Sequence, residues 1–277
     1  MRTLFSTFML IASVSLFSQD TIKNTAETRW TMFKYDFGNI FKGVGYSYSR
    51  PLHWKGKQWK TFGGVAAGTG LLYLLDDDSS RFISNQRESI PRFIRDYGEF
   101  YGNPGNNYLV TSGVYLTGLF TKNEKLRRTG VLLVSSATAA GLLQQILKSS
   151  VGRARPVSGK TKDTFKPFSD NRNFHSFPSG HTIMAFTNAY AIAKQFKSPW
   201  IKSGIYLAGL IPGASRVWDR QHWVTDFALG VAISIFTVES IDRYLDHKYD
   251  EKYNKGSKNL SWHLNFGPGQ MGVAIHF

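Results

Sequence analysis

Six apolar segments, rich in glycine and alanine and free of period-two alternation, run between residues 61 and 245 and restrict the chain to helix-on-helix packing. They cover residues 61–75, 108–121, 129–147, 183–196, 201–214 and 224–245, the last with charges only in its second half. Only 129–147 approaches the ~20 residues needed to cross a hydrocarbon core; the others read as shorter helices. Small residues such as Gly63, Gly64, Gly68, Gly70, Ala139 and Ala140 permit close helix contacts in lipid, and equally suit a tight soluble bundle. A mean hydropathy of −0.25 leans away from deep burial in a bilayer. The expected fold is therefore mostly α, a bundle of about six helices occupying residues 59–250.

The flanks follow different patterns. Residues 1–18 combine Arg2, an apolar run and small residues before Gln19, the layout of a signal peptide. Residues 19–58 are aromatic and glycine-containing without a sustained helical period, which predicts loops with one or two short strands. In the tail, Trp262, Leu264 and Phe266 alternate with polar residues, and Met271, Val273, Ile275 and Phe277 do so again beyond a Gly267-Pro268-Gly269 turn. This predicts a short C-terminal β-hairpin over 259–277.

A formal net charge of +15 calls for an anionic partner: nucleic acid, a phospholipid surface or a phosphorylated substrate. No nucleic-acid module is recognisable, so the partner expected is a phosphorylated lipid or small phosphate ester, with a membrane nearby. The chain has no cysteine, which removes disulfides, thiolate metal sites and a lipid-modified cysteine. The acidic triplet Asp76-Asp77-Asp78 is no metal site on geometry, because consecutive carboxylates point in different directions; it reads as a solvated helix end. No metal or other cofactor is expected.

Three separated segments carry residues suited to holding and attacking a phosphate: Lys148 with Arg155-Pro156; Pro178-Ser179-Gly180-His181; and Ser215-Arg216 followed by His222 and Asp226. Displacement at phosphorus needs fixed cations on the equatorial oxygens, a nucleophile and a proton for the leaving oxygen. Lys148, Arg155 and Arg216 supply charge. Ser179 is a natural cap for the helix that follows, and Gly180 lets backbone N–H groups approach an anion at the helix start. His222 and Asp226, four apart, share one helix face, so the carboxylate can orient the imidazole. The assignment is His222 as nucleophile, Asp226 as its orienting partner and His181 as general acid, later activating water. Taken alone, the His222–Asp226 duo reads equally well as a buried structural pair.

The order and spacing of these residues resemble the type 2 phosphatidic acid phosphatase superfamily, which includes bacterial non-specific acid phosphatases, glucose-6-phosphatase and vanadium haloperoxidases. The resemblance covers residues 148–226, and every motif position is filled. It implies an α-bundle core, a phosphohistidine at His222, metal-independent hydrolysis, and phosphate contacts from Lys148, Arg155, Ser179, Gly180 and Arg216. The short stretch between His181 and Ser215 looks more like the membrane lipid phosphatases, implying a lipid phosphomonoester or pyrophosphate substrate and residence in the cell envelope with the site facing the periplasm. A soluble periplasmic acid phosphatase and a non-catalytic envelope protein binding anionic lipid are the alternatives. Arg153, Asp219 and Arg220 fall inside the motif intervals but outside the pattern, and read as solvent-facing or rim residues. His175 reads as a loop residue near the entrance.

Overall fold

The structure, a computed structural model, describes residues 27–253 in full and the backbone of 254, 261–267 and 270–276. The expected leader at 1–18 lies outside the described residues. Nine α-helices follow one another: α1 (Arg29–Ser49), α2 (Gly56–Leu74), α3 (Asp76–Asn85), α4 (Arg92–Gly102), α5 (Pro104–Phe120), α6 (Glu124–Val151), α7 (Gly180–Ala193), α8 (Pro199–Trp218) and α9 (Val224–Tyr249).

This corrects the expected architecture of about six helices closed by a C-terminal hairpin. Among the described residues the body is a nine-helix assembly containing no sheet. Segments Ser261–Gly267 and Gln270–His276 pair with each other alone and add no layer to it. Two helices arise where breaks or polarity hid them, α3 over the acidic triplet and α4 over Arg92–Gly102. A third, α1, replaces most of the irregular aromatic segment expected at 19–58. Thr28 caps it by accepting from the Thr31 N–H, and its buried stripe is Met32, Asp36, Asn39 and Gly43. That spacing is helical, but half the stripe is polar, so apolar periodicity does not reveal it. Helices also run past their apolar cores: α9 continues to Tyr249 because Asp242 and Asp246 are held by Arg128 of α6.

Helix α6 is the axis of the bundle and packs against α1, α5, α7 and α9. Its Val131, Leu132, Leu133, Ala137, Ala139 and Ala140 are all essentially inaccessible. Buried on several sides, it carries small residues where neighbours approach and branched ones where space remains. Asn123 caps its start, accepting from the Leu126 N–H at 2.9 Å. Its end is set by Gly152, left-handed at φ 60°, whose N–H returns to the Lys148 carbonyl. A Cβ there would sit 2.0 Å from the Lys166 carbonyl oxygen, so only glycine makes this turn.

Helix α2 is the opposite case. It buries no residue, and Trp59, Phe62, Leu71 and Leu74 face outward. Two stretches, Glu124–Val151 and Val224–Tyr253, are long and apolar enough to cross a membrane by length and composition.

The end of the bundle where α1 and α6 begin is pinned by a fully buried ion pair. Arg127 Nε donates to Asp36 Oδ2 at 2.8 Å, and the hydroxyls of Tyr115 and Tyr249 donate to the same carboxylate. Arg127 also donates to the Tyr253 hydroxyl at 2.7 Å. Removing the negative partner leaves a buried guanidinium uncompensated, a loss of about 3–5 kcal/mol. Asp36→Asn is therefore expected to lower the unfolding midpoint by that equivalent in detergent solution. Wild-type stability in this variant would show that the pair is dispensable.

Candidate functional site

Three chain turns meet at the end of the bundle opposite the Arg127–Asp36 pair. They are the exit of α6 through Gly152, the entry of α7 at Ser179, and the entry of α9 at Trp223. A backbone bond from Ser179 N–H to the Asp226 carbonyl, 3.1 Å, ties the last two together. Asp226 lies in the first turn of α9, where its side chain accepts from the Trp223 N–H at 3.0 Å and caps the helix.

The buried centre is a guanidinium between two carboxylates. Arg153 donates from Nη1 to Asp226 Oδ1 at 2.8 Å and from Nη2 to Asp76 Oδ2 at 2.7 Å. Asp76 also accepts from the Thr225 N–H at 3.0 Å and from the Thr225 hydroxyl. The guanidinium stacks near Tyr73 and Trp223, with centroid distances of 4.8 and 5.3 Å. Asp226 Oδ2 accepts from Ser176 Oγ as well. The expectations for two residues are thereby corrected. Arg153 is 2% exposed, neither solvent-facing nor on a rim, and Asp76 is fully buried rather than part of a solvated end. The three carboxylates do diverge, and that divergence aims the first one inward: Asp77 meets Lys162 at 3.3 Å and Asp78 meets Arg81 at the surface.

On the other side of Asp226 lies His222, 3% exposed, with Nδ1 3.7 Å from Asp226 Oδ2. The separation suits an ion pair and is longer than a hydrogen bond, and His222 Nδ1 has no hydrogen-bond partner. The ring of His181 rests on the α4 backbone: a Cβ on Gly102 would lie 2.4 Å from its Cδ2. Around these rings stand the expected cations. Arg155 donates to Gln221 Oε1 and, at 3.4 Å, to the His175 carbonyl, while its buried Nε finds no partner. Arg216 donates to Asp219 Oδ2 at 2.9 Å. Ser179 caps the helix, as its place before α7 suggests. Its hydroxyl is engaged as the α7 cap, facing Thr182 Oγ1 at 2.8 Å and the Thr182 N–H at 3.4 Å. Gly180 opens α7, whose first-turn N–H groups lack intrahelical acceptors and point out of the helix start.

Electrostatics follow from this crowding. Burial first, then the charges of Arg216, His222, Lys148 and Arg155, hold the His181 pKa down at about 3. Burial likewise lowers His222 to about 4; Asp226 works against that shift, and Lys148 adds to it. Burial and the neighbouring Arg216 push Arg155 down too. Positive groups thus converge on neutral imidazoles with donors left over, an arrangement completed by an anion. Among the described residues no cluster of three metal-ligating side chains occurs.

The structure brings Lys148, Arg155, His181, Arg216, His222 and Asp226 into one electrostatic neighbourhood, with Ser179 and Gly180 at its floor. It adds Arg153, Asp76, Ser176 and Gln221, which no local motif marks.

A helical bundle here brings two buried histidines together with Lys148, Arg155 and Arg216, a set suited to an anion. The PAP2 superfamily family model matches residues 129–245, the stretch that holds every one of these motif residues. That match and the relatives that follow support phosphoric monoester or diphosphate hydrolase activity. The chain is 28% identical over 201 residues to a lipid A 1-phosphatase of Rhizobium etli, covering 66% of this chain and 81% of that protein. A lipid A 1-phosphatase of Rhizobium johnstonii is 35% identical over 138 residues, covering 48% of this chain and about half, 52%, of the relative. Among solved structures, a transmembrane PAP2 type phosphatidylglycerolphosphate phosphatase from Bacillus subtilis aligns with a TM-score of 0.48 at 21% identity, over 67% of this chain and 95% of that one.

Two outcomes test the site's physics. Because both imidazoles are held neutral, the unfolded chain, titrating near 6.5, takes up protons first as pH falls. Their contribution is complete above about pH 6.5 and is lost progressively toward about 4 for His222 and about 3 for His181. The unfolding midpoint should therefore drop between pH 7 and pH 4, and His222→Asn should flatten the slope; an unchanged slope would assign it to other groups. Separately, Arg153→Met strands two buried carboxylates and should cost about 3–5 kcal/mol. Adding Asp76→Asn should recover part of that loss, whereas strict additivity in the cycle would mean that the pair is not coupled.

Proposed function

We propose that the protein hydrolyses a phosphomonoester or diphosphate carried by a membrane lipid, through a phosphohistidine formed on His222. The observation that carries this reading is the convergence of Lys148, Arg155 and Arg216 on His181 and His222, with His222 Nδ1 turned toward Asp226 and the buried Arg155 Nε left without a partner.

The ester phosphate enters as a dianion between Lys148, Arg155, Arg216 and the N–H groups that open α7. Its charge offsets the cations that suppress His181, which then gains a proton. The His222 Nε2 lone pair attacks phosphorus in line. The bond to the leaving oxygen breaks, and His181 donates its proton to that oxygen. Asp226, fixed by Arg153 and Ser176, draws closer to His222 Nδ1–H and stabilises the cationic phosphoimidazole; the 3.7 Å separation is the kind of long contact that tightens around bound substrate. Neutral His181 next removes a proton from water as the water oxygen attacks phosphorus. The P–N bond breaks, releasing inorganic phosphate and restoring His222.

A lipid as carrier is supported by the exposed apolar face of α2, by two helices long and apolar enough to span a bilayer, and by relatives named for lipid A and phosphatidylglycerolphosphate. The same features favour residence in a membrane, with the site at a lipid–water boundary.

His222→Asn should lower turnover at least about a thousandfold while phosphate still binds, and with it should vanish the acid-labile, base-stable label that a radioactive phosphate ester leaves on the wild type. Turnover near wild type in that variant would overturn the nucleophile assignment. Recovery of active protein from cells by osmotic shock alone would replace the lipid substrate with a soluble ester.

A further inference from the structure

Beside the site, on the far side of the turn that joins α8 to α9, lies a second cavity of about 560 Å³. Helix α3, the loop at 156–161 and the 217–223 turn form its walls. Four cations line it, Arg81, Arg87, Lys160 and Arg220, against one carboxylate, Asp77, and that carboxylate is already engaged by Lys162 at 3.3 Å. Arg81 pairs with Asp78, and Arg87 with Asp219 and Glu88; neither Lys160 nor Arg220 is in an ion pair among the described residues. Ser80, Ser84, Asn85 and Thr161 add hydroxyl and amide groups, while Val217 and the indoles of Trp218 and Trp223 form an apolar side.

The cavity is joined to the site in two ways. Its wall includes Trp223 and Pro156, chain neighbours of His222 and Arg155. Asp219 is also shared: one carboxylate oxygen accepts from Arg87 at the cavity wall, 2.8 Å, and the other from Arg216 in the site, 2.9 Å. Arg220 is held at the lip by backbone geometry. Its φ is +55°, its N–H donates to the Val217 carbonyl, and its own carbonyl accepts from Val157 N–H at 2.8 Å. A non-glycine residue in that region is uncommon, and here it fixes the direction in which the guanidinium leaves the turn.

We propose that this cavity is a second phosphate site, taken up by a phosphate on the same substrate molecule whose other phosphate is cleaved at His222. The substrate class is thereby narrowed to molecules bearing two separated phosphate groups. The inference rests on the phosphatase reading above. Excess positive charge and shape favour a dianion, and the shared Asp219 favours one tethered to the ester in the neighbouring site. A free phosphate ion offers the same chemistry, so the test separates the two sources.

Decyl phosphate and decane-1,10-diol bisphosphate are compared as substrates of the full-length protein in detergent, alongside shorter diol bisphosphates as a ruler. The wild type should show a KM about tenfold lower for the best-fitting bisphosphate. The double variant Lys160→Gln/Arg220→Asn should lose that preference while its kinetics on decyl phosphate stay the same; asparagine is chosen because it tolerates the left-handed backbone. Equal affinity of the wild type for both esters, or an equal loss on both in the variant, would overturn the proposal. So would stimulation of decyl phosphate turnover by added methylphosphonate without any preference between the esters, which would make the occupant a free anion. If the wild type cleaves neither ester, the phosphatase reading fails. The second site is then judged by calorimetric binding of the two compounds to His222→Asn protein, where absence of a bisphosphate preference overturns it.

Discussion

The guanidinium of Arg153, clamped between Asp76 and Asp226, is the contact on which the arrangement of the site depends. It joins three stretches of chain that are remote in sequence: the start of α3, the loop leaving α6 and the first turn of α9. Taking one cation and two carboxylates out of water is costly, and the cost is met only because every lobe of the triad is hydrogen-bonded, by Thr225, Ser176, the Trp223 N–H and the Lys162 carbonyl. The triad carries one net negative charge. It therefore attracts the positive residues nearby, Lys148 and Arg155, and would favour a cationic form of His222.

Legibility in the sequence followed how local each interaction is. Lys148, Arg155, Ser179, Gly180, His181, Arg216, His222 and Asp226 were legible because reactive residue types recur at short fixed intervals around helix starts. Arg153 was not, although it lies two residues from Arg155, since its partner Asp76 is 77 positions away and nothing local separates a buried arginine from a solvated one. Helix α1 was hidden for a related reason. Its inward stripe includes Asp36 and Asn39, and the cation that makes Asp36 an interior residue, Arg127, lies 91 positions further on. Hydrophobic patterning detects burial by oil and misses burial by charge pairing.

Two such buried pairs, Arg127–Asp36 and Arg153–Asp226, mark opposite ends of the long helices. Between them α6 offers mostly alanine, serine and branched apolar residues, whose contacts are close but undirected. Helices with smooth faces can slide or rotate at little cost, so the directional restraint comes from the ends. One of these restraints also sets the register of α9, which carries Asp226, so the position of the His222 ring depends on where the helix is anchored as much as on its immediate neighbours.

Helix α4 meets two residues of the site motifs through glycine. Gly98 lies against Ser215 and, one turn on, Gly102 against the ring of His181, leaving no room for a Cβ at either position. The clearance beside the imidazole is thus set by main chain, which has no rotamers to exchange. The remaining faces of α4 carry Phe93, Asp96, Glu99 and Phe100 outward, free to vary without disturbing that clearance. Side chains at those outward positions can change without moving the imidazole beneath them, separating the part of the helix that can be exchanged from the part that cannot.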